Sequence, residues 1–187
     1  IRSGHTITVA ENVTADQVVI DAGGTVHVNS GVTLTIADNT GTGSDPVDCI
    51  VNGTIYVAGT LVPNGEFTFY RGSVYHHATD GGTIPAGDWD SESQCRITGI
   101  TATAPTGLGQ SFGHFTWNCS SQSSALTVSI NNNITIKGNL AITSTGAGKL
   151  ALTSNTPQVS MTVAGNYTQT GGIFILNNSA SSTVTNN

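Results

Sequence analysis

The sequence predicts an all-β fold, a right-handed parallel β-helix, and three observations carry that expectation. Short stretches alternate apolar and polar residues with period two and are rich in Val, Ile and Thr, the pattern of half-buried strands. One phrase, a small residue, Gly, and then alternating β-formers, recurs as SGHTITV, AGGTVHV, SGVTLTI and VNGTIYV, and self-similarity of this kind marks a repeat architecture. Turn signals often return after six or seven residues and no helical period interrupts them. Three such strands with their turns make a unit of roughly 20 residues, the coil length of a solenoid. A β-sandwich is the alternative, because Asn52-Gly53 and Asn64-Gly65 are steps that can close hairpins.

In chain order, the first strands are expected at residues 5–9, 17–20, 25–28, 33–36, 54–57 and 66–70. Gly23, Gly31, Gly53, Gly59, Gly65 and Gly72 stand between or just after them, where they are expected to take positive φ, a conformation that costs Gly little. After residue 119 the alternation resumes at 126–130, 134–136, 140–142, 150–152, 159–163, 167–169 and 173–176. Gly138-Asn139-Leu140 and Gly165-Asn166-Tyr167 read as equivalent starts of two coils. The loop at 38–48 holds three carboxylates among Gly and Thr, the composition of a Ca²⁺ loop, but its spacing matches no metal motif. It reads as a solvated loop, and no cofactor is expected.

Charged residues are only 9% of the chain, and Thr, Ser, Asn and Gly carry the polarity instead. The net charge of −6 and five scattered basic residues argue against a nucleic-acid partner. No apolar run approaches the ~18–20 residues of a membrane span. The chain opens at Ile1 without a signal peptide and is expected to be a piece of a longer secreted polypeptide, 1–187 forming one solenoid module.

The stretch 75–119 differs from the rest and is expected as an irregular insertion. It holds both tryptophans, two of the three cysteines and three of the five histidines. His76, His77 and Asp80 form the densest cluster of reactive groups, with His114 later in the block, and Asp88, Asp90 and Glu92 flank Trp89, carboxylates beside an aromatic as in sugar-handling sites. Strand alternation would separate His76 from His77 and Trp89 from the two aspartates. Tyr75, His76, His77, Asp80, Asp88 and Trp89 are therefore candidates for ligand contact, with no residue assigned to catalysis or to metal. In an oxidising compartment Cys95 and Cys119, which bracket the block, are the expected disulfide; buried free thiols are the alternative.

SGHTITV with GGTVHVNSGVTLTI, and ITIKGNLAITSTGAGKLALTS with VAGNYTQTGGIFIL, resemble repeat regions of very large secreted surface proteins of Bacteroidetes. YHHATDGGTIPAGDWDSESQCRITGITATAPTGLGQSFGHFTWNC resembles a recurrent insertion in the same proteins. The resemblance covers nearly the whole chain. It implies export by the type IX secretion route and an extracellular or cell-surface β-helical module, and it transfers no catalytic residue. The function expected is non-catalytic, structural or adhesin-like, with neighbouring solenoid modules or an extracellular glycan as partner. A polysaccharide-degrading enzyme with its site in 75–119 is the alternative.

Overall fold

Alternation with period two sends every second side chain to the same face, so a short strand can bury one row of apolar residues and solvate the other. The computed structural model describes residues 1–38, 47–128, 130, 133–153 and 160–177. Its strands are β1 (Thr6–Val9), β2 (Val13–Ala15), β3 (Val18–Ile20), β4 (Thr25–Val28), β5 (Thr33–Ile36), β6 (Cys49–Val51) and β7 (Thr54–Val57). Then follow β8 (Thr60–Pro63), β9 (Phe67–Phe69), β10 (Val74–His77), β11 (Gly87–Trp89), β12 (Gln94–Ile97) and β13 (His114–Asn118). The chain continues with β14 (Ala125–Thr127), β15 (Ile134–Ile136), β16 (Leu140–Ser144), β17 (Lys149–Thr153), β18 (Met161–Val163), β19 (Tyr167–Gln169) and β20 (Phe174–Asn177).

Every strand pairing among the described residues is parallel, and the chain is a parallel β-solenoid, or β-helix. The longest sheet stacks eight rungs in the order β1-β4-β7-β10-β12-β13-β16-β19. In the first half β2-β5-β8 and β3-β6-β9-β11 form the other walls; in the second half β14-β17-β20 and β15-β18 do. The sandwich is excluded because Asn52-Gly53 joins β6 to β7 and Asn64-Gly65 leads from β8 to β9, and neither pair of strands is hydrogen-bonded together. Thr54, Val74, Gln94 and His114 occupy one column, so these coils take 20 residues each. Leu140 pairs with Tyr167, as the two Gly-Asn phrases imply, and Asn139 Oδ1 accepts the Asn166 amide at 2.9 Å.

Inward rows stack into continuous columns. Val26, Ile55, Tyr75, Cys95 and Phe115 form one, and all are buried. Burying an aliphatic such as Ile55 contributes about 1.5–3 kcal/mol.

The glycines divide into two classes, and one departs from expectation. Gly23, Gly31 and Gly72 have positive φ. Gly53, Gly59 and Gly65 do not; they are small because the preceding coil lies against them. A Cβ on Gly53 would stand 2.3 Å from the Gly24 carbonyl oxygen, and one on Gly59 would stand 2.1 Å from that of Asn29.

Residues 75–119, expected as an irregular insertion, carry β10, β11, β12 and β13 in register with their neighbours. The longer irregular stretches of this block are 78–86 and 98–113, where the described pairing is reduced to isolated bridges from Thr106 to Thr83 and from Phe112 to Ile136.

Candidate functional site

Alternation on β10 decides what its reactive groups can do. Tyr75 and His77 point into the coil and are 0% and 1% exposed, while His76 faces outward. The Gly81 carbonyl can only accept, so His77 Nε2 carries the proton in their 2.7 Å contact. In the neutral ring Nδ1 then accepts the Tyr75 hydroxyl at 3.0 Å. Burial, and secondarily His76, push the His77 pKa down against the opposing Gly81 hydrogen bond. Burial, with Cys95 adding to it, pushes Tyr75 well above the usual phenol range. Both groups are therefore held neutral and fully occupied within the wall.

The remaining candidates are spread out. Asp80 Oδ1 accepts the backbone amides of Thr101, Ala102 and Thr103 at 2.8–2.9 Å. Partial burial would raise its pKa, but the amide donors Thr103, Thr101 and Ala102 outweigh it and hold the carboxyl at about 2. Asp88 projects into solvent, 3.6 Å from Lys137 Nζ, whose ammonium also donates to the Trp89 carbonyl. Trp89 is 1% exposed and stacks on Phe69 at 3.7 Å between ring centroids, with Tyr75 and Phe112 edge-on. The six candidates do not converge: three lie inside the coil and three stand at separate outer positions. Tyr75, His77 and Trp89 are corrected from ligand contacts to core residues.

Two residues absent from the expected set organise this core. Gln110 Oε1 accepts the Trp89 indole N–H at 3.1 Å and the Gly87 amide at 3.2 Å, while its Nε2 donates to the Pro85 and Gly107 carbonyls. Gln122 does the same for Trp117, accepting at 2.9 Å and donating to the Ser124 and Lys149 carbonyls. Each glutamine thus satisfies one buried indole and fastens two backbone segments. The signal for Gln110 lies one coil away from its tryptophan, beyond any local motif.

The expected disulfide is absent: all three cysteines are free and buried. Cys95 is level with Phe115, four residues before Cys119. Along extended chain that is about 13 Å at roughly 3.3 Å per residue, against the ~7 Å between Cα atoms that a bridge spans. Cys119 Sγ instead lies 3.5 Å from the Ile97 carbonyl. Burial, then Asp48, pushes the Cys49 thiol up to about 12, and burial brings Cys119 to about 11.

Among the described residues no three His, Cys, Asp or Glu come together to hold a metal ion. The 38–48 loop lies largely outside the described residues. Among the described residues no helix is long and apolar enough to cross a membrane. A cavity of about 20 Å³ in the second half, walled by apolar side chains such as Phe112, Trp117, Ile142, Leu150 and Met161, has room for little more than one water.

The outer face of the eight-stranded sheet is a different surface. One outward column runs Thr6, Thr25, Thr54, Val74, Gln94, His114, and the next runs Thr8, His27, Tyr56, His76, Arg96, Thr116. Tyr56 meets His27 and His76 edge-to-face at 4.6 and 4.7 Å. His76 Nε2 pairs with Thr98 Oγ1 at 2.8 Å, and burial, then Arg96, lower its pKa. No family model matches the chain, and no curated protein or solved structure matches it either.

Proposed function

We propose that this chain is a non-catalytic module of an extracellular or cell-surface protein, a β-solenoid that acts as a structural or adhesin-like segment. The observation that carries the reading is the fate of the reactive groups in 75–119. Tyr75 donates to His77 and His77 to the Gly81 carbonyl, Trp89 fills the core, and Asp80 Oδ1 accepts three backbone amides. The low charge and the Thr-, Ser-, Asn- and Gly-rich composition, together with the resemblance to secreted Bacteroidetes repeats, support an extracellular setting reached by type IX secretion. Neighbouring solenoid modules are the partners that suit the outer rungs. Ile7 and Tyr167 lie in the inward column but are 52% and 50% exposed.

The test pairs turnover with stability. Incubation with linear and branched polysaccharides, neutral and uronate-containing, is expected to release neither reducing ends nor unsaturated products. Tyr75→Phe and His77→Gln are expected to lower the melting temperature. Product release that disappears in a folded His77→Gln protein would overturn the reading in favour of a degrading enzyme.

A further inference from the structure

Resting on the reading of this module as a non-catalytic surface segment, we propose that the first four rungs of the eight-stranded sheet bind a linear, uncharged polysaccharide. Its chain would run along the columns built by Thr25, His27, Thr54, Tyr56 and His76.

Four observations converge there. The outward side chains of β1, β4, β7 and β10 are Thr6, Thr8, Thr25, His27, Thr54, Tyr56, Val74 and His76, with no acid, Lys or Arg among them. A stretch without fixed charge on a chain of net charge −6 suits a neutral partner and gives a polyanion nothing to pair with. Hydrogen-bonding capacity is also left open in this stretch. Among the described residues, the Thr25, Thr54 and Tyr56 hydroxyls and the His27 ring nitrogens have no protein partner. In the next two rungs the charged and imidazole groups are engaged internally, Arg96 donating to Gln94 at 3.1 Å and His114 accepting the Asn139 amide at 2.9 Å.

The rings are also held in place. Tyr56 stands at 81° to His27 and 82° to His76, so ring surface and hydroxyls are presented in one arrangement before a ligand arrives. Finally, parallel rungs repeat every ~4.8 Å, a step comparable to one unit of an extended glycan, so successive sugars meet successive rungs. Sugar hydroxyls would exchange hydrogen bonds with the threonine column while ring C–H groups lie against the aromatic column. An extended peptide would instead be expected to add at a sheet edge rather than on this face.

The test is affinity electrophoresis with hydroxyethylcellulose, xyloglucan, galactomannan and laminarin, followed by calorimetry on any polymer that retards the chain. Polygalacturonate serves as the charged comparator. Retardation by at least one neutral polymer is expected, unchanged by added salt. Tyr56→Ala is expected to weaken binding about tenfold. Thr54→Val, which keeps shape and removes one hydroxyl, is expected to weaken it several-fold. Thr35→Val, on the outer face of β5, is expected to leave it unchanged; thermal melts confirm that each variant is folded. Retardation by none of the neutral polymers, by polygalacturonate alone, or equal loss in Thr35→Val would overturn the proposal. Each of these outcomes leaves the turnover and melting results of the non-catalytic reading intact, so the two fail separately.

Discussion

At the scale of single residues, the buried polar groups decide how stability responds to conditions. His77 is held neutral with its pKa below the ordinary value, so between the two values the unfolded chain binds a proton that the folded chain refuses. Stability is therefore fully present above about pH 6.5, the ordinary histidine value, and falls as the pH drops below it. Chemical denaturation at pH 7 and pH 5 is expected to show this loss, and His77→Gln is expected to reduce the difference while costing about 1–3 kcal/mol at pH 7. Ser73 gives the opposite case. Its hydroxyl is buried and lacks a hydrogen-bond partner, whereas Ser93, one coil on, donates to the Asp90 carbonyl at 2.7 Å. Ser73→Ala is expected to leave stability unchanged or raise it by up to about 1 kcal/mol, and Ser93→Ala to lower it. The cysteines supply a third expectation. A thiol reagent added to the folded chain is expected to modify none of them, to modify three after denaturation, and a reductant is expected to leave the melting temperature unchanged.

At the scale of strands and corners, side-chain size is set by the coil beneath. Gly24, Gly53, Ser73, Ser93 and Gly113 precede β4, β7, β10, β12 and β13 and line one corner. Each of the Gly24, Gly53, Ser73 and Ser93 carbonyls accepts the amide that opens the next strand of the stack. A Cβ on Gly113 would stand 2.3 Å from the Asp90 carbonyl oxygen, so the corner admits only small residues. Gly53→Ala is expected to lose about 1–3 kcal/mol through forced backbone shifts. Gly109→Ala, with open space around its Cβ and no positive φ, is expected to lose almost nothing; guanidine titrations of the two compare them directly. The alternation of β4, β7 and β10 was readable from Val26-His27-Val28, Ile55-Tyr56-Val57 and Tyr75-His76-His77 because period two is a local property. It also separated Trp89 correctly from Asp88. The contact of Gln110 with Trp89 and that of Gln122 with the Lys149 carbonyl were not readable, since each depends on which residue of another coil lands level with it; Gln122 reaches Trp117 from only five residues away. The proposed Cys95–Cys119 bridge failed for the same reason: bracketing a segment in sequence says nothing about level within the stack.

At the scale of the whole molecule, the block rich in Trp, His and Cys looked like a site because rare residues are concentrated in it. The stack explains the concentration differently. Tyr75, Trp89, Phe112 and Phe115 fill the coil interior where Ile, Val and Leu serve in the first rungs, and their rings contact one another across the core. The 20-residue column has a further consequence for what changes the chain tolerates. Residues 54–73 supply β7, β8 and β9, one strand to each wall of the first half. Tandem duplication of that segment is expected to give a folded, cooperatively melting protein that is longer in solution scattering by one rung, about 4.8 Å. A single residue inserted between Ile55 and Tyr56 would turn Val57 outward and is expected to abolish cooperative melting. The chain's reach can therefore change only by whole counts. Such a stack is a ruler with fixed graduations, in which the separation of its two ends can be reset one rung at a time while the side chains of every other rung stay as they were.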